Sequence, residues 1–398
     1  MTMADAKTKI LIAGAGLGGL AAASCLMKAG YDVEIYEQAP ALGEIGAGIQ
    51  LSANCMHVLN DLGMGKAIWD VGVRPEAYVF RLHDTGEVIQ RFALSEDHLK
   101  QHGAPYNQLH RADLHDLLAA KAREFKPGIV NLDRRVVGFT ESDSAVELNF
   151  ADGSSARGDM LIGADGLKSV VCRQMFGEKP ATYTGDGAWR ITVPVERLPH
   201  PRLEQVMSVF MGPGGHCVIY YLRAGKIINF VGCIETDEVS EESWTVKFPK
   251  DRLRADLIGW HPAVHAIVDA ADDDGCYRWS LHNRKPIGNW STRRVTILGD
   301  AAHATLPYLA QGAAMSIEDG CVLARALRQA GSIPDGLQLY QRNRMDRTAR
   351  VVEQSTANRR LFHLPSQDAM RAEFAKRNEG GERNSWLYSY NPLTVPLT

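Results

Sequence analysis

Lys9-Ile10-Leu11-Ile12-Ala13-Gly14-Ala15-Gly16-Leu17-Gly18-Gly19 joins a short apolar run to closely spaced glycines. Ile10, Leu11 and Ile12 are β-formers with no polar alternate, the pattern of a strand buried on both faces of a parallel sheet. Gly14 permits a tight turn, Gly16 lets backbone approach a pyrophosphate, and Gly19 allows a helix to pack closely on the strand. Leu17 stands where that helix opens, with its first free N–H groups toward the phosphates. The helix body, Leu20 to Lys28, is rich in Ala and Leu, and Gly30 is placed to end it. Asp32-Val33-Glu34-Ile35-Tyr36 then reads as a second strand, followed by Glu37. An acid about 20 residues past the glycines is where a ribose hydroxyl is met. Strand, glycine turn, helix, strand and acid in this order define a Rossmann-like βαβ unit that binds a dinucleotide.

Two further strand-to-turn segments extend the pattern. Gly158-Asp159-Met160-Leu161-Ile162-Gly163-Ala164-Asp165-Gly166 is a buried strand running into an Asp-Gly turn. Val295-Thr296-Ile297-Leu298-Gly299-Asp300-Ala301-Ala302-His303 is another, ending in Gly-Asp. On their own, Asp165 and Asp300 also fit simple caps on the helices that follow them. Taken with the first motif they favour FAD over NAD. The chain has no second complete GxGxxG unit and no redox cysteine pair, which counts against a reductase or dehydrogenase carrying both cofactors.

Composition narrows the rest. A chain of 398 residues with 45% hydrophobic content is long enough for two interleaved domains. A net charge of −3 gives no support for nucleic-acid binding. The 7 cysteines are scattered, odd in number and without CxxC spacing, so neither a metal site nor a disulfide framework is expected. No apolar stretch reaches the roughly 18–20 residues that span a bilayer. Met1 to Lys7 lacks the apolar core of a signal peptide, and a cytoplasmic protein is expected.

Farther along, Ala41 to Leu51 carries Gly43, Gly46 and Gly48 and reads as a loop passing near a ligand. Tyr78 to Leu94 alternates like strands, Arg111 to Glu124 is helical, and Val136–Thr140 and Val146–Phe150 are strand-like. Between about Trp189 and Trp279 the runs Val206–Met211, Cys217–Leu222 and Lys226–Val231 suit an antiparallel sheet. After Leu298 the chain reads as helical to about Lys376, and the aromatic ending Trp386-Leu387-Tyr388-Ser389-Tyr390 argues for a docked tail. The fold expected is α/β (α+β overall). Residues 1–75, 100–185 and 285–330 form a discontinuous FAD-binding domain. Residues 76–99 and 186–284 form a substrate-binding sheet domain, and 331–398 a helical C-terminal region.

With these motifs in this order, the chain resembles the class A flavoprotein aromatic hydroxylases, single-component monooxygenases built on the para-hydroxybenzoate hydroxylase fold. The resemblance implies bound FAD, transient NADH or NADPH, O2, and hydroxylation of a small phenolic acid through a flavin C4a-hydroperoxide. It places the cofactor against Gly14, Gly16, Leu17, Gly19, Glu37, Gln38, Gly48, Arg111, Asp165, Gly166 and Asp300. Pro307, Gln311, Gly312 and Ala313 would lie along the flavin ring. His216, Tyr220, Gln50 and His303 are the expected catalytic-site residues. Of these, His216 and Tyr220 share one strand face with Val218 by period-two alternation. Gln50 stands where the pyridine-hydroxylating members carry His, a departure that counts against a pyridine substrate. The lead expectation is salicylate, decarboxylated to catechol, with 3-hydroxybenzoate and 6-hydroxynicotinate as alternatives. A non-hydroxylating FAD oxidase or an inactive FAD-binding relative stays open as a different class. A monomer or homodimer is expected, with no nucleic-acid or membrane partner.

Overall fold

The Lys9–Ala13 strand lies at the middle of a five-stranded sheet in the computed structural model, which describes residues 8–43, 47–178, 180–199, 203–239, 246–378 and 384–398. Its neighbours on one side are Met160–Gly163 and then Val295–Ile297; on the other are Asp32–Tyr36 and the short Val130–Asn131. All pairings are parallel. The glycine turns after Ala13, Gly163 and Ile297 therefore emerge side by side at one edge of the sheet, the edge where open α/β sheets bind ligands.

The first helix runs Leu17–Lys28. Gly30, at φ +99°, ends it in a Schellman arrangement: Tyr31 N–H donates to Leu26 O and Gly30 N–H to Met27 O. The glycine roles are steric. A Cβ on Gly19 would sit 2.1 Å from Gly14 O, and one on Gly14, itself at φ +103°, 2.5 Å from Ala164 O. Nothing lies within 4 Å of a Cβ on Gly16, which leaves its backbone open to a ligand.

An eight-stranded sheet faces this edge. Its order is Lys247–Phe248, Cys276–Asn283, Thr182–Pro194, Ile227–Glu235, Gly215–Leu222, Met207–Gly212, Ala77–Leu82 and Val88–Ala93. The antiparallel expectation needs one correction: Met207–Gly212 and Ala77–Leu82 pair in parallel. They come from distant segments, so no hairpin dictates their relative sense. The central strand, Thr182–Pro194, is 13 residues long and carries no clear strand signature in the sequence. Gly185, Gly187 and polar residues mask its alternation. One face of the sheet packs Trp189, Ile191, Phe230 and Ile219 beneath the Lys250–Asp256 and Pro262–Asp269 helices. The other face carries Arg190, His216, Val218 and Tyr220 toward the parallel sheet.

Three helices of the C-terminal part, Gly312–Ala330, Ile333–Phe362 and Gln367–Asn378, pack against this framework. The 30-residue middle one braces both sheets, burying Leu337 and Tyr340 with the first core and Phe362 against the second sheet. The C-terminal tail docks: Leu387 is fully buried, and Arg325 donates to Pro392 O and Val395 O. All seven cysteines are buried. Among the described residues no helix is long and apolar enough to cross a membrane.

Candidate active site

The two sheets enclose a cavity of about 1340 Å³, walled on one side by the glycine turns and on the other by the inner face of the large sheet. Its cofactor end is built from backbone. Gly16 is the N-cap of the first helix and offers no side-chain cap, so the helix N–H groups stay available to a phosphate. Glu37 steadies this turn: its carboxylate accepts from Ala15 N–H and Ala39 N–H, each at 2.9 Å. His115 Nε2 bonds Ala15 O at 2.8 Å from the other side.

Of the expected cofactor residues, Gly16, Leu17, Glu37, Gly48, Arg111, Gly166, Asp300, Pro307, Gln311, Gly312 and Ala313 line this one cavity. Gly14 and Gly19 lie beneath it, where their role is packing. Gln38 is exposed and outside the wall. Asp165 takes the capping alternative. Its carboxylate accepts from Ser169 Oγ and from Val170 and Val171 N–H at 2.5, 2.8 and 3.2 Å, at the start of the Val170–Phe176 helix. Asp300 does not: Gly299, at φ +61°, is the N-cap of its short helix, and Asp300 remains on the cavity wall. Glu44, Ile45 and Gly46 of the glycine loop lie outside the described residues. His303 is not brought to the cavity. It is buried at the end of the short Asp300–His303 helix, with Nε2 2.6 Å from Asp319 Oδ2 and its ring against Trp290, and lines a separate 250 Å³ pocket.

The donor set fits FAD. An open glycine backbone for a pyrophosphate and a second helix start at Gly312, also without a side-chain cap, lie along one continuous cleft. A helix N-terminus there favours negative charge on a reduced ring.

At the far end His216, Val218 and Tyr220 all reach the cavity from one strand face. Four residues of strand span about 13 Å, so His216 and Tyr220 flank a ring rather than share one of its atoms. Tyr220 stands against the glycine loop: a Cβ on Gly48 would meet its hydroxyl at 2.3 Å. Burial pushes Tyr220 up to about 12, opposed by nearby Arg190 and a hydrogen bond with Gln50. Tyr106 Oη donates to Gln50 Oε1 at 2.5 Å. Arg190 packs 4.8 Å over Trp279, and burial first, then Arg111, lowers it to about 10, so it stays charged at neutral pH.

His216 occupies the opposite, aromatic end, with Tyr308 and Phe362 rings at 5.2 and 4.9 Å. Burial, then His363, hold it well below the ordinary histidine range, so the ring is neutral. Its Nδ1 lies 2.9 Å from His363 Nε2. Sequence reasoning missed Arg190, Tyr106 and His363. A single arginine within Ala188-Trp189-Arg190-Ile191 is a usable flag, but His363, just past a long helix, gives none.

Comparison with known proteins agrees with this geometry. The pattern of the family described as FAD binding domain matches residues 7–355. The 3-hydroxybenzoate 6-hydroxylase of Polaromonas naphthalenivorans (strain CJ2) is 36% identical over 390 residues, covering 96% of each chain. The 6-hydroxynicotinate 3-monooxygenase of Bordetella bronchiseptica (strain ATCC BAA-588 / NCTC 13252 / RB50) is 35% identical, covering 98% of this chain and 97% of that one. Among solved structures, Klebsiella pneumoniae HpxO complexed with FAD and uric acid superposes with a TM-score of 0.84 at 28% identity, covering 97% of each chain.

Proposed function

The chain belongs to the FAD binding domain family and is an FAD-dependent aromatic-ring monooxygenase, and from that premise we propose that its substrate is a phenolic acid with carboxylate and hydroxyl on separate ring edges, 3-hydroxybenzoate first. FAD, reduced by NADH or NADPH, supplies the oxygen activation. The discontinuous portion 1–75, 100–185 and 285–330 holds it, through Gly16, Leu17, Glu37, Arg111, Asp300, Pro307 and Gln311 to Ala313. The sheet portion, 76–99 and 186–284, orients the ring.

The separation of two polar ends carries this reading. Tyr220, Gln50 and Tyr106 form a hydrogen-bonding end, and Arg190, level with Val218 in the sheet register, brings a cation toward Tyr220, an arrangement suited to a carboxylate. His216, neutral and about 13 Å along the strand from Tyr220, is placed to accept a phenol proton and make the ring electron-rich. Phe80, Trp279, Tyr308 and Phe362 wall the space between and exclude water. Salicylate carries its two groups on adjacent carbons, so one group leaves an end of the site unpaired. It is the weaker candidate, and oxidative decarboxylation falls with it. A 6-hydroxynicotinate-type substrate meets the spacing, but Gln50 replaces the expected His.

A substrate panel with NADH and O2 consumption and product analysis tests this. The expected result is one NADH and one O2 per 3-hydroxybenzoate, with a second ring hydroxyl in the product. Faster coupled turnover of salicylate to catechol would overturn it. NADH oxidation unaffected by any aromatic acid would favour an oxidase instead.

A further inference from the structure

His216 opens onto a chain of hydrogen bonds that leaves the cavity. Its Nδ1 pairs with His363 Nε2 at 2.9 Å, and His363 Nδ1 with Glu235 Oε1 at 3.0 Å. The His363 side chain is 2% exposed, whereas that of Glu235 is 44% exposed. We propose that His216, His363 and Glu235 form a proton relay that carries the substrate's phenolic proton from the cavity to solvent.

The tautomers are set from the outside in. Glu235 accepts, so His363 Nδ1 carries the hydrogen and His363 Nε2 is bare. His216 Nδ1 must then carry a hydrogen, leaving His216 Nε2 as the bare nitrogen of a cavity-lining ring. When the phenol O–H gives its proton to Nε2, the Nδ1 proton of His216 passes to His363 Nε2. The Nδ1 proton of His363 passes to Glu235, and Glu235 releases it to water. The phenolate oxygen keeps the electron pair. Each ring ends neutral in its other tautomer, so no imidazolium is left in the buried site. This removes the difficulty that a buried histidine is by itself a poor proton acceptor.

The surroundings support the direction of travel. Facing His363 are Asp186 from the central strand, Glu235 from its neighbour, Arg359 from the long helix, Tyr308 and His216. Tyr308 Oη donates to Asp186 Oδ2 at 2.6 Å, fixing the cavity wall to the same network. Asp186, Glu235 and His363 gather like metal ligands, within 4.8 Å. Arg359 already bridges the two carboxylates, at 2.5 and 3.2 Å, and supplies the positive charge a cation would bring.

The relay rests on the reading of His216 as proton acceptor, and the test separates the two. Proton release on binding 3-hydroxybenzoate is followed with a pH indicator in weakly buffered stopped flow, using FAD-loaded enzyme. Glu235→Gln, at an exposed side chain, and His363→Phe should each slow release at least tenfold, with substrate Kd and FAD content unchanged. Added imidazole should restore release in His363→Ala. Wild-type release rates in both Glu235→Gln and His363→Phe overturn the relay. If His216→Gln alone is then slow, the proton-acceptor reading survives; if it too is fast, both readings fail.

Discussion

In the proposed function, Arg190 is the residue on which substrate choice turns. Desolvation lowers its guanidinium to about 10 yet leaves it ionised near neutrality. A partly desolvated cation of this kind favours an anionic ligand beside it. Arg190→Met should keep FAD in place, because the glycine turns and Glu37 are untouched. It should raise KM for the aromatic acid ten- to a hundredfold, the about 1.5–3 kcal/mol of a charged hydrogen bond. Steady-state kinetics beside the flavin absorbance of the purified variant decide this, and an unchanged KM would remove Arg190 from the substrate end. Asp165 teaches the opposite lesson. A carboxylate in a recognisable turn motif spends its oxygens on Ser169, Val170 and Val171.

At the scale of elements, the Gly312–Ala330 helix connects cofactor and brace. Glu318 and Asp319 are wholly buried on it, facing the wholly buried Arg344 of the long helix at 2.6 and 2.7 Å. Asp319 Oδ2 also accepts from Gly299 N–H at 3.0 Å, while Asn54 Nδ2 donates to Gln311 Oε1 and Glu318 Oε1. The two turns that line the cofactor end are thus tied to one ion network. Burial alone would raise Asp319, but His303 and Arg344 outweigh it and bring it to about 2. Arg344→Met leaves two buried carboxylates poorly compensated, with Arg347 the remaining guanidinium on Glu318. A loss of about 3–5 kcal/mol is expected, read from urea unfolding of the holoprotein; a midpoint equal to wild type would contradict it. His303, which resemblance places beside the flavin, belongs to this supporting layer. Sequence alone could not show that, because adjacent acids on a helix ordinarily mark its solvent face.

For the whole molecule, the cavity exists only where the sheets and the C-terminal tail meet, and that junction buries histidines. His98 packs among His102, Tyr106 and Tyr388, its Nε2 accepting from Ala53 N–H at 3.3 Å, and burial lowers it to about 3. His216 is shifted the same way. For both, the folded-state value lies below the unfolded value of about 6.5. Between those values the unfolded chain binds more protons, so their contribution is complete above about pH 6.5 and falls as pH drops. Each such histidine contributes a slope of about 1.4 kcal/mol per pH unit. Asp319 adds nothing in this window, since its loss begins only below about pH 4. The Tm of the holoprotein should therefore fall between pH 6.5 and 4.5, and His98→Gln should flatten that fall. A Tm independent of pH over this range would contradict it.

What the sequence determined by itself was local and periodic. Ile10 to Ile12, the glycines, Gly30 and Glu37 specified the βαβ unit because strand, turn and helix each leave a short-range mark. Met160 to Gly166 and Val295 to Asp300 were legible for the same reason, as was the shared face of His216, Val218 and Tyr220. Tertiary structure decided everything that depends on which distant segments meet. It set Thr182–Pro194 at the heart of the second sheet despite its glycines, and so brought Arg190 to Tyr220. It turned Asp165 and His303 away from the cavity. It placed His363, beyond the end of a helix, against a strand residue 147 positions earlier. A buried charge or a hydrogen-bond chain has no period along the chain; it is created when separate elements exclude water from the same space.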